Sequence, residues 1–299
     1  MNSRHQPIAT FSIVAHDPQN NEWGIGVQSK FLAVGAVVPW ARAGVGAVAT
    51  QSYANLAYGP DGLDMMAQGA SAQATIDALT SADKERNLRQ MGMVDAKGQA
   101  ASFTGSGCYD WAGHIVEDGF CCQGNILVPS TVEAMAEYFA QARQGAGELA
   151  DWLVEALLAG QAAGGDSRGR QAAAVLVVRE GGGYGGNNDR YLDLRVDDDP
   201  FPIQRLKQLV DMHHLYFGNV DPDDHLSLSD TALVTEFQAM LQRTGHYSGD
   251  VTGTFDDATR SALRALVGSE NLEERWNGTG DAIDRQVVIY LRGRFGVKE

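Results

Sequence analysis

Cysteine is scarce in this 299-residue chain: Cys108, Cys121 and Cys122 are the whole complement, confined to one short stretch. An odd, clustered set with no CxxC pair and no His/Cys metal spacing argues against a disulfide framework and against a zinc site. Adjacent Cys121 and Cys122 point to opposite faces if they lie on a strand, so reduced core thiols are expected. Positive charge is also short. Lys and Arg number 23 against 38 Asp and Glu, a net charge of −15. That balance disfavours a phosphate-binding surface, so no nucleic-acid partner is expected, and it disfavours adsorption to an anionic membrane. Long apolar runs are missing too. The longest apolar-rich stretch, Phe31 to Trp40, is too short to span a bilayer as a helix. The opening MNSRHQPIAT lacks an apolar h-region, and a cytoplasmic location is expected. There is no internal repeat, no coiled coil and no Walker-type loop. The glycine run Gly181 to Gly186 is not followed by a lysine-bearing helix start. No cofactor and no metal are expected.

What is present is a series of hairpins and capped helices. Thr10 to Ala15 reads as a strand, Asp17 to Asn21 as a turn, and Trp23 to Ser29 as the returning strand. Pairing along their length would bring Thr10 next to Ser29 and Lys30. Gly59 to Ala67 and Ser71 to Thr80 read as helices, the second capped by Ser71. Hairpins are predicted around Asp95-Ala96-Lys97-Gly98 and around Asp118-Gly119. Two helices follow, Thr131 to Gln144 with Ser130 as cap, and Glu148 to Ala159. The uniformly apolar run between Gln171 and Arg179 predicts a strand buried on both faces. Tyr191 to Val196 alternates apolar and charged residues, which predicts one buried and one wet face. Pro202 to Phe217 closes this part as a helix. Helices segregated around hairpin strands indicate a layered α+β fold and not a parallel doubly wound sheet.

A polar stretch with an Asp-Pro-Asp-Asp run, Asn219 to Ser229, marks a domain boundary. The division predicted is 1–220, a linker at 221–229, and a small all-α module at 230–299. Its helices are expected over Asp230 to Gly245, over Ala258 to Val267 with Asp256 as cap, and over about Asp281 to Arg294.

Several strings in the first 220 residues carry a resemblance to a known family. They are Thr10 to Ala15; Val27-Gln28-Ser29-Lys30-Phe31-Leu32-Ala33-Val34-Gly35; Ala49-Thr50-Gln51-Ser52-Tyr53-Ala54-Asn55; Gln123-Gly124-Asn125; Gly165-Asp166-Ser167-Arg168-Gly169; and Asp189-Arg190 with Asp193 to Asp197. On these strings the segment resembles the DUF1028 family, which has an N-terminal-nucleophile (Ntn) hydrolase-like fold. The resemblance implies a four-layer αββα sandwich. The tail, with Gly249-x-x-Thr252-Gly253-x-Phe255-x-x-x-Thr259, resembles a peptidoglycan-binding-like module.

The Ntn resemblance implies amide hydrolysis by a strand-opening hydroxyl or thiol whose own freed α-amine is the base. Thr10 is then the nucleophile and Ser29 a proton relay. Lys30 would lower the nucleophile's pKa or bind a substrate carboxylate, and Asn125 would hold the oxyanion. Asp166 and Arg168 would orient groups or clamp a carboxylate. The implied partners are a small amide or peptide substrate and, through the tail, a muropeptide, with homo-oligomerisation left open. The same residues have plain structural explanations. Thr10 suits a strand start, Lys30 a solvated turn, Asn125 a positive-φ turn after glycine, and Asp166 with Arg168 an ion pair. His114 reads as structural, His213 and His214 lack partner ligands at matching spacing, and Asp197-Asp198-Asp199 suits a solvated turn. Nine residues precede Thr10, so its amine is free only if the Ala9–Thr10 bond is cut. The competing function is a non-catalytic ligand-binding protein on the same scaffold.

Overall fold

The computed structural model describes residues 10–218 and 223–296, and the chain divides after Val210 into two compact units. In the first unit, β1 (Thr10–Asp17) and β2 (Glu22–Ser29) form the expected hairpin, with Thr10 opposite Ser29. Then come β3 (Pro39–Arg42), β4 (Gly46–Ser52), α1 (Tyr58–Ala67), α2 (Ala72–Ala82), β5 (Arg89–Asp95) and β6 (Ala100–Thr104). They are followed by β7 (Gly113–Glu117), β8 (Phe120–Asn125), α3 (Thr131–Ala142), α4 (Leu149–Ala162), β9 (Ala172–Val178) and β10 (Arg190–Val196), and the division falls within α5 (Pro202–Phe217). One antiparallel sheet runs β10-β9-β2-β1-β8-β7, and a second runs β3-β4-β5-β6.

Side-chain alternation explains the layering. Phe11, Ile13 and Cys122 leave the six-stranded sheet on one face and pack against Val132, Met135, Leu153 and Leu157 of α3 and α4. Val14, Ile25, Val27 and Cys121 leave it on the other and meet Ala47, Ala49 and Val94 of the second sheet. The outer face of that sheet, with Val48, Met91 and Met93, is covered by Tyr58, Leu63 and Ile76 of α1 and α2. The order is helix, sheet, sheet, helix. Gly24 lets α4 lie close on its sheet, because a Cβ there would stand 2.7 Å from Leu153 Cδ1. Adjacent Cys121 and Cys122 do face opposite layers as free thiols, and burial pushes the Cys121 thiol up to about 12.

Ser71 caps α2 by accepting from Ala74 N at 3.2 Å, as expected. Ser130 does not cap α3. Its φ of 73° is left-handed and its side chain makes no cap bond. Strand β10 also departs from the expected alternation. A register shift between Arg190 and Leu192 buries Tyr191 and Leu192 together.

The second unit comprises β11 (His225–Ser227), α6 (Thr231–Arg243), α7 (Asp257–Ser269), β12 (Ala282–Asp284) and α8 (Arg285–Phe295). Asp230 and Asp256 cap α6 and α7 through backbone N–H groups. The module is helical but not wholly so. Residues 225–227, read as linker, and 282–284, read as the start of a helix, pair as a two-stranded ladder. Residues 219–222 of the predicted linker lie outside the described residues, as do residues 1–9. Among the described residues no helix is long and apolar enough to cross a membrane.

Glu22 opens β2 with its side chain 1% exposed, accepting from Arg179 Nη1 at 2.7 Å. Burial pushes its carboxyl up from 4.5 to about 7, with Arg179 opposing. A raised folded-state pKa stabilises the fold below pH 4.5, and that contribution is lost as pH rises through about 7. The stability gap between wild type and Glu22→Gln should therefore shift by about 3 kcal/mol between roughly pH 4 and pH 8, in favour of wild type at the acid end. Urea unfolding across that range checks it, and a pH-independent gap would be contrary.

Candidate functional site

Antiparallel pairing puts the start of β1, the end of β2, the end of β8 and the start of β9 on one edge of the six-stranded sheet. On that edge Thr10 pairs with Ser29 on one side and Asn125 on the other, and all three are fully buried. Thr10 Oγ1 donates to Ser29 Oγ at 3.1 Å. The sequence-predicted Thr10, Ser29 and Asn125 are thus brought together. Asn125 is a regular strand residue, and the positive φ belongs to the next residue, Ile126, at 55°.

A neutral hydrogen-bond network between the two sheets holds Asn125. Its Nδ2 donates to Gln90 Oε1 at 2.9 Å, and Gln51 Nε2 donates to the same oxygen at 2.9 Å. Gln90 Nε2 in turn donates to Gly124 O at 2.7 Å and to Thr104 Oγ1 at 2.9 Å. Ser12 Oγ donates to Gln51 Oε1 at 2.6 Å and accepts from Gln123 Nε2 at 2.7 Å. Amide side chains suit this layer because each supplies donors and an acceptor without a charge to desolvate. Gly92 makes room, since a Cβ there would stand 2.1 Å from Gln123 Oε1. The network ends at His114, whose Nδ1 lies 2.9 Å from Thr104 Oγ1.

Three of the positive-φ non-glycine residues among the described residues lie at or after strand ends. Ala33, Ser52 and Ile126, with φ of 53°, 65° and 55°, come shortly after or at the ends of β2, β4 and β8. For a β-branched residue such as Ile126 this region costs about 1–3 kcal/mol, a cost that recurs at functional sites.

Asp166, Arg168 and Lys30 form a second group. The buried Asp166 carboxylate accepts from Lys30 N at 3.0 Å, from Arg168 N at 3.0 Å and from Arg168 Nε and Nη2 at 3.2 and 3.0 Å. It therefore pins the loop after β2 to the turn before β9, and the Arg168 fork is directed at Asp166. Leu127 bridges to Asp166, which ties this turn to the end of β8. The Lys30 ammonium donates to Arg170 O at 3.3 Å and lines a cavity of about 400 Å3 with Arg170, Asp198 and Asp199.

Sequence reasoning assigned no role to Gln51, Gln90, Gln123 or Thr104 and read His114 as structural. Gln51 and Gln123 do stand inside the family-like strings, which was the available signal. Among the described residues no group of three His, Cys, Asp or Glu is arranged to hold a metal.

Comparison with known proteins agrees with this architecture. The crystal structure of protein SPO2555 from Silicibacter pomeroyi, assigned to DUF1028, is similar at 29% identity, over 70% of this chain and 91% of that one, with a TM-score of 0.62. No curated protein matches the chain. Residues 216–291 match the family described as "Putative peptidoglycan binding domain". Residues 10–206 match the model of DUF1028, a family of unknown function, and on that match, with a shared architecture and the strings around Thr10, Gln51, Asn125 and Asp166, the chain belongs to DUF1028.

Proposed function

We propose that the first unit hydrolyses a small amide or a closely related C–N bond, with Thr10 as nucleophile after cleavage of the Ala9–Thr10 bond. The observation that carries this reading is the buried hydroxyl of a strand-opening Thr10, bonded to Ser29 and in register with Asn125. A freed Thr10 amine titrates near pH ~8 in model peptides, so it can take the hydroxyl proton at neutral pH. Oγ1 then attacks the substrate carbonyl carbon, and the Asn125 amide, fixed by Gln90, serves the developing oxyanion. The C–N bond breaks as the leaving amine takes the proton. Water then hydrolyses the Thr10 ester and restores the hydroxyl. Ser29 relays protons. In this scheme Asp166 holds the Lys30 loop in place, with Arg168 and Lys30 near the entering substrate.

The intact mass of the purified active protein tests the reading. The expected species begins at Thr10, and full activity in a chain that retains residues 1–9 would overturn the mechanism.

A second reading rests on the match of residues 216–291: the tail recruits the protein to peptidoglycan or its fragments. Full-length protein should co-sediment with isolated peptidoglycan and lose most of that binding when residues 216–299 are deleted. Equal sedimentation of both forms would sink the idea.

A further inference from the structure

Beside the Thr10 edge lies a cavity of about 420 Å3 to which the mechanism above gives no role, lined among others by Thr104, Ser106, Cys108, Asp110, Gly113 and His114. Its walls are tied down. Gly105 N and Gly107 N donate to Arg89 O and Asn87 O at 2.9 and 2.7 Å. Ile126 N and Leu127 N donate to Tyr109 O and Trp111 O, so the loop carrying Asp110 is fastened to the chain directly after Asn125.

The hydrogen-bond order sets the chemistry of the floor. Thr104 Oγ1 accepts from Gln90 Nε2 and shares a second hydrogen bond of 2.9 Å with His114 Nδ1, whose direction follows the imidazole tautomer. Burial holds the His114 pKa below 6.5 and raises that of the Cys108 thiol, so both stay uncharged near neutral pH. Asp110 is the one acidic residue among the lining residues, and it is exposed. The chain's net charge of −15 adds a field that favours cations.

We propose that this cavity binds the ammonium-bearing part of a small amino-amide, with Asp110 as counter-ion and the His114 imidazole and the Thr104 and Ser106 hydroxyls as partners for its polar groups. The proposal rests on the amidase reading for its choice of an amide, while its charge preference comes from the cavity alone. The hydrogen-bonded series Asn125, Gln90, Thr104, His114 places such a ligand on the floor of the same network that fixes the oxyanion donor.

The test uses full-length protein near pH 7 with two probes of one shape, alaninamide, which is a cation there, and lactamide, which is neutral. Binding is followed by NMR at Gly105, Gly113 and the His114 ring, in wild type, Asp110→Asn and Thr10→Ala. Alaninamide should shift these signals and bind roughly five- to tenfold more tightly than lactamide, and Asp110→Asn should erase the difference. Equal affinities for both probes in wild type, or shifts confined to the Lys30 cavity, would overturn the proposal. Turnover is scored separately. Intact binding with undiminished hydrolysis in Thr10→Ala would refute the nucleophile and spare the cavity, whereas Thr10-dependent hydrolysis without shifts at this cavity would refute the cavity alone.

Discussion

Thr10→Ala and Thr10→Val should each lower amide hydrolysis by at least about a thousandfold, because removing a covalent nucleophile leaves only binding and oxyanion stabilisation. Thr10→Val matters as the companion variant. It keeps the branched shape of a side chain that is fully buried against Ser29 and Asn125, so lost activity cannot be charged to a packing void. Thr10→Ser keeps the hydroxyl and should stay within roughly tenfold of wild type. Initial rates on a panel of small amides, with melting temperatures recorded beside them, decide the matter. Comparable rates in Thr10→Val and wild type would remove Thr10 from the chemistry.

Gln90→Leu should destabilise the first unit by about 3–5 kcal/mol. Gln90 is fully buried, and its carbonyl is the shared acceptor for the Gln51 and Asn125 amides. Its amide also serves Thr104 and Gly124. Leucine fills similar space but supplies none of these bonds, so several buried polar groups lose a partner at about 1–3 kcal/mol each. Against a typical total of about 5–15 kcal/mol that loss is large. Urea denaturation should show a lower midpoint with an unchanged slope. A loss under about 1 kcal/mol would mean that the network relaxes around the change.

Much of the fold was legible because its signals are local. The turn between Asp17 and Asn21 fixes the β1–β2 hairpin, and therefore the Thr10–Ser29 register, before any long-range contact is known. Ser71, Asp230 and Asp256 mark helix starts by a bond to a backbone N–H two or three residues on. The apolar run of β9 announces burial on both faces. Where local signals failed, the backbone conformation or a distant partner had decided the outcome. Ser130 has the right side chain for a cap, but its backbone is turned into the left-handed region. Residues 225–227 and 282–284 carry too little pattern to be seen as strands, and each becomes one by pairing with the other. The extra residue in β10 shows itself only against β9.

The candidate site divides in the same way. Thr10, Ser29, Asn125, Asp166 and Arg168 could be named from their strings, and hairpin geometry already brought Thr10 to Ser29. The sequence by itself determined the first hairpin and the layered α+β class, because turn chemistry, capping and period-2 patterning act over a few residues. Only the tertiary structure decided that Asn125 lies on the other side of Thr10, that Asp166 takes the Arg168 fork, and that Gln51, Gln90, Gln123 and Thr104 join two sheets and end at His114. A glutamine has no periodic or spacing signature that announces an interlayer bond. Its partner is set by which strands of two sheets come to face each other, and that is fixed only when the layers pack.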